Sequence, residues 1–400
     1  MNIGEPIRHR AAALRADRGA LLWAVAVVAI YGGATLALAS SATPRVDPAM
    51  HLAVNLAHGR LDVGLSPGTN DTVTTGGRTY QVVSPLPILP YLPFVPFRPL
   101  WPASRWIVSA SLGILAAWLC LPLARRYGPP GRATYWLATL GAFGTLLFDQ
   151  AIQGNFYFLA HVEAMLLTFV ALIEWRGRRR PWVVGLALGV ASLARPTVAL
   201  AAIPFGLAFL MSGGPDRVWR FLRFAVPVGV TVAIAGLYNT LRFGSPLESG
   251  YGISTLGFTA LAQRRTGGLF SLSYLSGNLQ LLLAQGLDFR SRFPYLVPNN
   301  NGHSILLTSP ALLIAVGAGI RRRTAQVLWA SAFLVTVPLL FYYGGGGFIT
   351  YGYRYFLDVV PFLLVLVAIA ARIHFGALEK LLILLSVVFV GYGFVWLRFQ

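Results

Sequence analysis

Apolar runs of membrane-spanning length recur along the chain, separated by short segments rich in arginine. The first covers Ala20 to Ala39, and later ones cover about Arg105–Leu123, Ala133–Phe148, Phe156–Trp175, Phe224–Leu241, Ser304–Ile320, Ala325–Tyr343, Tyr351–Ala371 and Leu378–Leu397. A further run, 181–211, has arginines at both ends, Arg176 to Arg180 before it and Arg217, Arg220 and Arg223 after it. A single crossing would put one of these clusters on the wrong side, so the run reads as a hairpin of two shorter helices with Arg195-Pro196 at its tip. The first arm of that hairpin reaches only about 21 Å into a hydrocarbon core of about 30 Å, which leaves Arg195 just beneath the outer surface. The pattern predicts an all-α polytopic membrane protein with about 11 transmembrane helices, forming one domain over residues 1–400.

Between the runs, 40–104 and 242–303 read as external loops. Val73 to Tyr80 has the alternation and the Gly76-Gly77 pair of a small β-hairpin. Seven prolines between Ser84 and Pro102 argue against an isolated spanning helix and for a segment that lies along the outer leaflet. Phe270 to Gln285 carries apolar residues at helical spacing and reads as a surface-lying helix.

Composition agrees: the 400 residues are 56% hydrophobic and 11% charged, and the mean hydropathy is +0.65. A net charge of +19 in a soluble protein would suggest nucleic acid. Here the arginines at 8–18, 125–132, 176–180, 217–223 and 321–323 all fall on one side of the predicted topology, as the positive-inside rule requires, and no nucleic-acid partner is expected. The N-terminus is then cytoplasmic and the C-terminus external. The single cysteine, Cys120, lies within an apolar run and provides neither a disulfide nor a metal site. One lysine, Lys380, against many arginines points to a GC-rich bacterium, and so to its plasma membrane. There the sequon Asn70-Asp71-Thr72 carries little meaning.

Ionisable groups at membrane depth are costly and are functional candidates. Those nearest the predicted outer face are Asp47, His51, His161, Glu163, Arg195, Arg354 and Asp358. Asp47, just past the first helix, fits a catalytic base at a membrane surface, and equally the N-cap of a short helix beginning at Pro48. Arg354 and Asp358, at i and i+4, can pair on one helix face as a plain intramembrane salt bridge. External arginines such as Arg45, Arg242, Arg264, Arg265 and Arg290 suit an anionic ligand, most simply a lipid phosphate, although long loops also cross regardless of charge. The chain carries no Walker A loop, no HExxH, no GxSxG and no histidine or cysteine cluster at metal spacing, so neither ATP coupling nor a divalent metal cofactor is expected.

Asp47, then Gly77-Arg-Thr-Tyr80, Pro85-Leu-Pro87-Ile-Leu-Pro90, Gln153-Gly-Asn-Phe-Tyr157 leading to His161, Leu193-Ala-Arg195-Pro196, and Tyr353-Arg354-Tyr355 with Asp358 and Pro361 follow one another in an order that resembles the GT-C superfamily of polyprenyl-phosphate-sugar-dependent glycosyltransferases. The segments look like those of bacterial members related to protein O-mannosyltransferases and aminoarabinose transferases. The resemblance implies inverting transfer of a sugar from a polyprenyl-phosphate donor to an acceptor hydroxyl of a glycan, lipid or protein at the outer face. It implies Asp47 as the base, Arg195 and Arg354 on the departing phosphate, and His161 on the phosphate or sugar. His51, Glu163, Asp149, Asp358 and Tyr80 would be supporting residues. Many members carry a second acid beside the first. Here Val46 and Pro48 flank Asp47, and Asp62 or Asp149 would have to assist. The rival expectation is a transporter or flippase of lipid-linked anionic substrates, in which the same buried charges line a path.

Overall fold

The computed structural model describes residues 4–64, 71–255, 259–299, 301–347 and 350–399; Asn70 of the sequon lies outside them. In the first part of the chain α1 (Gly4–Ser41) leads to α2 (Pro48–Ala57), the hairpin strands β1 (Thr72–Thr75) and β2 (Arg78–Gln81), and α3 (Trp101–Tyr127). There follow α4 (Arg132–Phe143), α5 (Leu147–Ile152), α6 (Phe156–Arg176), α7 (Pro181–Ala194), α8 (Ala202–Leu210) and α9 (Arg217–Phe243). The last part holds α10 (Thr259–Arg265), α11 (Leu275–Leu283), a second small hairpin of β3 (Asp288–Phe289) and β4 (Leu296–Val297), α12 (Ile305–Thr308), α13 (Arg323–Phe341), α14 (Val360–Ala371) and α15 (Ala377–Arg398).

Six helices among the described residues are long and apolar enough to cross a membrane: Arg18–Ser41, Arg98–Tyr127, Phe156–Arg176, Arg217–Phe243, Arg323–Phe341 and Ala377–Arg398. The expectation of about eleven such helices is therefore corrected, because the other predicted runs are shorter or broken, each for a local reason. Ala133–Phe148 divides at Gly144, and the next residue, Thr145, turns its hydroxyl onto the Gly141 carbonyl at 2.9 Å, a local bond that competes with helix propagation. In Ser304–Ile320 only the four residues of α12 are α-helical; Pro310 cannot donate, and a 3₁₀ helix takes over from Pro310 to Ala318. Tyr351–Ala371 is helical from Val360 onward, with Pro361 in the first turn and a 3₁₀ turn, Arg354–Asp358, ahead of it. The 181–211 run divides at Arg195-Pro196 into α7, a 3₁₀ helix (Pro196–Ala201) and α8.

The loop elements follow from turn chemistry. Gly76 and Gly77 both take positive φ, 56° and 71°, and close the two-residue β1–β2 turn that pairs Val73 with Tyr80. The proline-rich segment is a 3₁₀ helix from Leu86 to Phe94. Prolines at 87, 90 and 93 recur at the three-residue period of that helix and so share one face.

Two features set how the helices pack. All of α14 is buried, which places it at the centre of the bundle. In α7, Gly185 and Gly189 form a small-residue stripe against which α9 lies: a Cβ on Gly185 would stand 2.1 Å from the Phe224 carbonyl oxygen, and one on Gly189 2.4 Å from Thr231 Oγ1. The opposite faces of α1 and α9 expose apolar side chains such as Leu36, Val226 and Leu237, as lipid-facing helices do. At one end of the bundle Arg372 Nε donates to the carbonyls of Tyr127 (2.6 Å) and Gly128 (3.0 Å), and Arg323 Nη2 to that of Ala208 (3.1 Å). These bonds tie the arginine-bearing ends of α3 and α14 to each other, and the arginine-bearing start of α13 to the end of α8.

The α7–α9 crossing is testable. Gly185→Val drives a methyl into backbone that cannot swing aside, and is expected to lower stability by about 1–3 kcal/mol. Gly229→Val on α9, where a Cβ meets nothing within 4 Å, should leave it unchanged. Thermal denaturation of the two variants in detergent gives the comparison; equal melting temperatures would remove the glycine stripe from the account of how α9 is held.

Candidate functional site

At the other end of the bundle a buried carboxylate ties three segments together. Pro196 disfavours the α region for the residue before it, so α7 stops at Ala194 and Arg195 turns out with extended backbone, φ −134° and ψ 100°. Its Nε donates to Asp358 Oδ2 at 3.0 Å. Thr197, two residues on, donates its hydroxyl to the same oxygen at 2.7 Å. From the second turn of α6, His161 Nδ1 meets Asp358 Oδ1 at 2.9 Å. Asp358 is 2% exposed and His161 1%, so the ion pair is out of water and its partners compensate one another.

Arg354, at the start of the same 3₁₀ turn, is handled differently. Its guanidinium carbon lies 4.8 Å from the Phe158 ring and 5.1 Å from the Tyr355 ring. Arg195 lies 5.1 Å from that same Tyr355 ring. One tyrosine therefore holds two guanidiniums through its π-system. Close approach of Arg354 to its neighbours depends on Gly347: at φ 103°, a Cβ there would stand 2.9 Å from Arg354 Nε. That buried Nε has no hydrogen-bond partner among the described residues.

These residues line a cavity of about 500 Å³, a size suited to a small ligand. Its walls come from the end of α1, the loop before β1, the start of α6, the α7 tip, the Tyr342–Gly347 turn and the end of α15. Four arginines line it, Arg45, Arg195, Arg354 and Arg398, with Asp71 as the acid among the lining residues. Arg398 is held at 3.3 Å by Asp149, whose other oxygen takes Gln153 Nε2 at 2.7 Å. Gly154, at φ 55°, lets the chain pass under the Trp106 ring, 2.6 Å from where a Cβ would stand. Asp358 and Asp149 offset Arg195 and Arg398, and the remaining lining charges leave a smaller positive excess over a partly apolar wall, which favours anions over cations.

Of the residues singled out from the sequence, His161, Arg195 and Arg354 line the cavity, while Asp358 and Asp149 stand behind it and hold the lining arginines. The Arg354–Asp358 pairing is corrected: the turn that carries them is 3₁₀, not α, and Asp358 takes His161, Arg195 and Thr197 instead. Asp47 caps α2, accepting from Ala49 N at 2.9 Å, and does not line the cavity. Burial pushes its pKa up to about 6, against the pull of the Ala49 N–H and of Arg105 and Arg45. His51 is half-buried on α2, Tyr80 packs edge-on against Phe243, and Asp62 is clamped by Arg60 at 3.1 and 2.5 Å, all away from the cavity. Glu163 is buried in α6, and its Oε2 has no partner among the described residues.

Asp71, Thr197 and Tyr355 belong to the site and were missed. Tyr355 lay in a quoted segment beside Arg354, and Thr197 stands two residues from Arg195, so neighbourhood to an intramembrane arginine was the available signal. Asp71 carried none beyond being an acid in an external loop. No protein-family model, curated protein or solved structure matches the chain.

Two substitutions separate the structural from the ligand-facing charges. Asp358→Asn leaves Arg195 buried without its counter-charge and is expected to cost about 3–5 kcal/mol. Arg354→Gln gives up ring contacts and one long bond to the Tyr355 hydroxyl, about 1–2 kcal/mol. Membrane accumulation and melting temperature report both; an Asp358→Asn protein as stable as wild type would show that the buried pair does not hold the site.

Proposed function

We propose that the chain is a membrane glycosyltransferase that moves a sugar from a polyprenyl-phosphate donor to an acceptor hydroxyl at the outer face, with inversion. The observation that carries this reading is the arginine-lined cavity at the end of the helices opposite the arginine-bearing ends, with Arg354 on its wall and no carboxylate bonded to it among the described residues. A guanidinium that lies on two rings and gives only one long bond, from Nη2 to the Tyr355 hydroxyl at 3.4 Å, keeps donors for a ligand, and its planar fork matches a phosphate. Orientation comes from the positive-inside rule, which puts the opposite end of the bundle in the cytoplasm and the cavity outside, in a bacterial plasma membrane.

In this reading the phosphodiester of the donor lies across Arg354 and Arg195. As the bond from the anomeric carbon to the phosphate oxygen breaks, negative charge grows on the phosphate, and the two guanidiniums meet it without reorganising, because Tyr355 and Asp358 already fix them. His161 has Nδ1 committed to Asp358 and offers Nε2 to the phosphate or the sugar. The arginines supply the charge that a divalent metal would otherwise bring. The acceptor is a hydroxyl of a glycan, lipid or protein. A transporter or flippase of lipid-linked anions would use the same arginines to bind but would leave the glycosidic bond intact.

Purified protein incubated with labelled polyprenyl-phosphate sugars is expected to release polyprenyl phosphate. Arg354→Gln should raise the donor KM at least tenfold, and Arg195→Lys, which cannot form the fork, should cut turnover about 10²-fold while the protein inserts normally. Cysteines placed at Thr74 and Gln263 should react with an impermeant reagent added to intact cells. Movement of the intact donor across vesicle membranes without cleavage would replace transfer by transport, and protection of both cysteines would put the cavity on the wrong side.

A further inference from the structure

The geometry points to Asp71, and not Asp47, as the base that takes the proton of the acceptor hydroxyl. The inference rests on the glycosyl-transfer reading and concerns which carboxylate performs its proton transfer. Inverting displacement needs the acceptor on the face of the sugar away from the phosphate, and its proton must pass to a carboxylate that reaches into the cavity. The acids around the cavity divide on that criterion. Asp358 accepts from His161, Arg195 and Thr197. Asp149 accepts from Gln153 and Arg398. Asp47 serves the N-terminus of α2 through the Ala49 N–H, and none of these three lines the cavity. Asp71 does.

Its loop is built to hold it there. The Asp71 N–H donates to the Thr255 carbonyl at 2.7 Å, and its own carbonyl accepts from Val82 N at 2.8 Å and Gln81 Nε2 at 3.0 Å. The residue thus sits where β1 begins, fastened both to the hairpin and to the second external loop. Its backbone is left-handed, φ 54°, a conformation aspartate tolerates better than most residues. The carboxylate is steadied by the Tyr157 hydroxyl, which also receives Gln81 Nε2 at 2.8 Å. Arg354 and Arg265 are within electrostatic reach of the carboxylate, as is Tyr251. Burial raises its pKa above the ordinary aspartate value, while Tyr157 and the two arginines draw it back. A base displaced upward in this way is nearer the working pH and still ionised above its pKa.

In the step itself the acceptor O–H proton passes to an Asp71 oxygen, and the acceptor oxygen's electron pair forms the new bond to the anomeric carbon. The bond from that carbon to the phosphate oxygen breaks, and its electron pair leaves with polyprenyl phosphate. Proton, sugar and leaving group all balance with no further reactant.

The test uses the full-length protein in detergent with radiolabelled polyprenyl-phosphate hexoses, measuring donor binding and turnover separately. Asp71→Asn is expected to bind donor within threefold of wild type and to turn over about 10²-fold or more slowly. Asp71→Glu should retain part of the turnover and shift the acidic limb of the kcat–pH profile, on which activity falls as pH drops through the pKa of the base. Turnover of Asp71→Asn within threefold of wild type overturns the inference. So does loss of donor binding in Asp71→Asn, which would make the residue a donor or folding element. So does abolition of turnover by Asp47→Asn with Asp71→Asn intact. A wild-type protein that cleaves no donor would instead sink the glycosyl-transfer reading, an outcome visible before any variant is made.

Discussion

The three-way bond to Asp358 is the constraint on which this end of the molecule depends. A buried carboxylate is tolerable only when its oxygens are fully engaged, and the groups that engage Asp358, which sits in the turn before α14, come from α6 and from the tip between α7 and α8. Satisfying that one charge therefore fixes the relative position of three chain segments. It also fixes the direction of Arg195, since Nε is bound and the rest of the guanidinium lies against Tyr355 at the cavity wall. Arg354, one turn before Asp358, lies against the Phe158 and Tyr355 rings and donates from Nη2 to the Tyr355 hydroxyl at 3.4 Å. The contrast separates an arginine paired with a buried carboxylate from one that has none bonded to it among the described residues.

Short and broken helices are a consequence of the same need. A helix carried without interruption through the membrane satisfies all its own backbone groups and presents side chains only sideways. Ending α7 at Arg195, starting α14 at Val360 and breaking the chain at Gly144 bring chain ends and 3₁₀ turns to the cavity instead, where side chains converge from several directions. The cost of interrupted backbone is met by proline and glycine placement: Pro196 and Pro361 stand where an N–H is not needed, and Gly347 and Gly154 allow Arg354 and Trp106 to approach the main chain. The long helices α1, α9 and α15 stay at the periphery, with much of their surface exposed, while the unbroken α6 and the short α14 are the most buried.

That division explains what could be read from the residues alone. Hydropathy finds uninterrupted apolar runs, so α3, α6, α9, α13 and α15 were legible, and so were the Gly76-Gly77 hairpin and the break at Arg195-Pro196. Hydropathy does not register a 3₁₀ segment such as Pro310–Ala318, which is as apolar as an α-helix, and so the number of long helices was overestimated. The same blindness produced the i, i+4 pairing of Arg354 with Asp358, which assumed an α-helix where the turn is 3₁₀. Pro361, in the first turn of α14, was the sign that the helix starts later. The partners of Asp358 are 161 to 197 residues away in the chain, a separation that no periodicity reaches.

Asp47 and Asp71 show the limit most sharply, because a sequence contains types and spacings but not exposure to a cavity. Both are acids between α1 and α3, and a motif-based choice favours the one nearer the helix end. In the folded chain the nearer one is drawn to the unsatisfied N–H groups at the start of α2, where an aspartate is favoured regardless of any chemistry. The further one is carried by the hairpin to the cavity wall, beside Tyr157 and bonded through its N–H to Thr255. The β-hairpin thus has a physical reason to be present in an otherwise helical protein. Its ladder and the bond from the Asp71 N–H to the Thr255 carbonyl fix a loop residue at the cavity wall more firmly than an unpaired loop would.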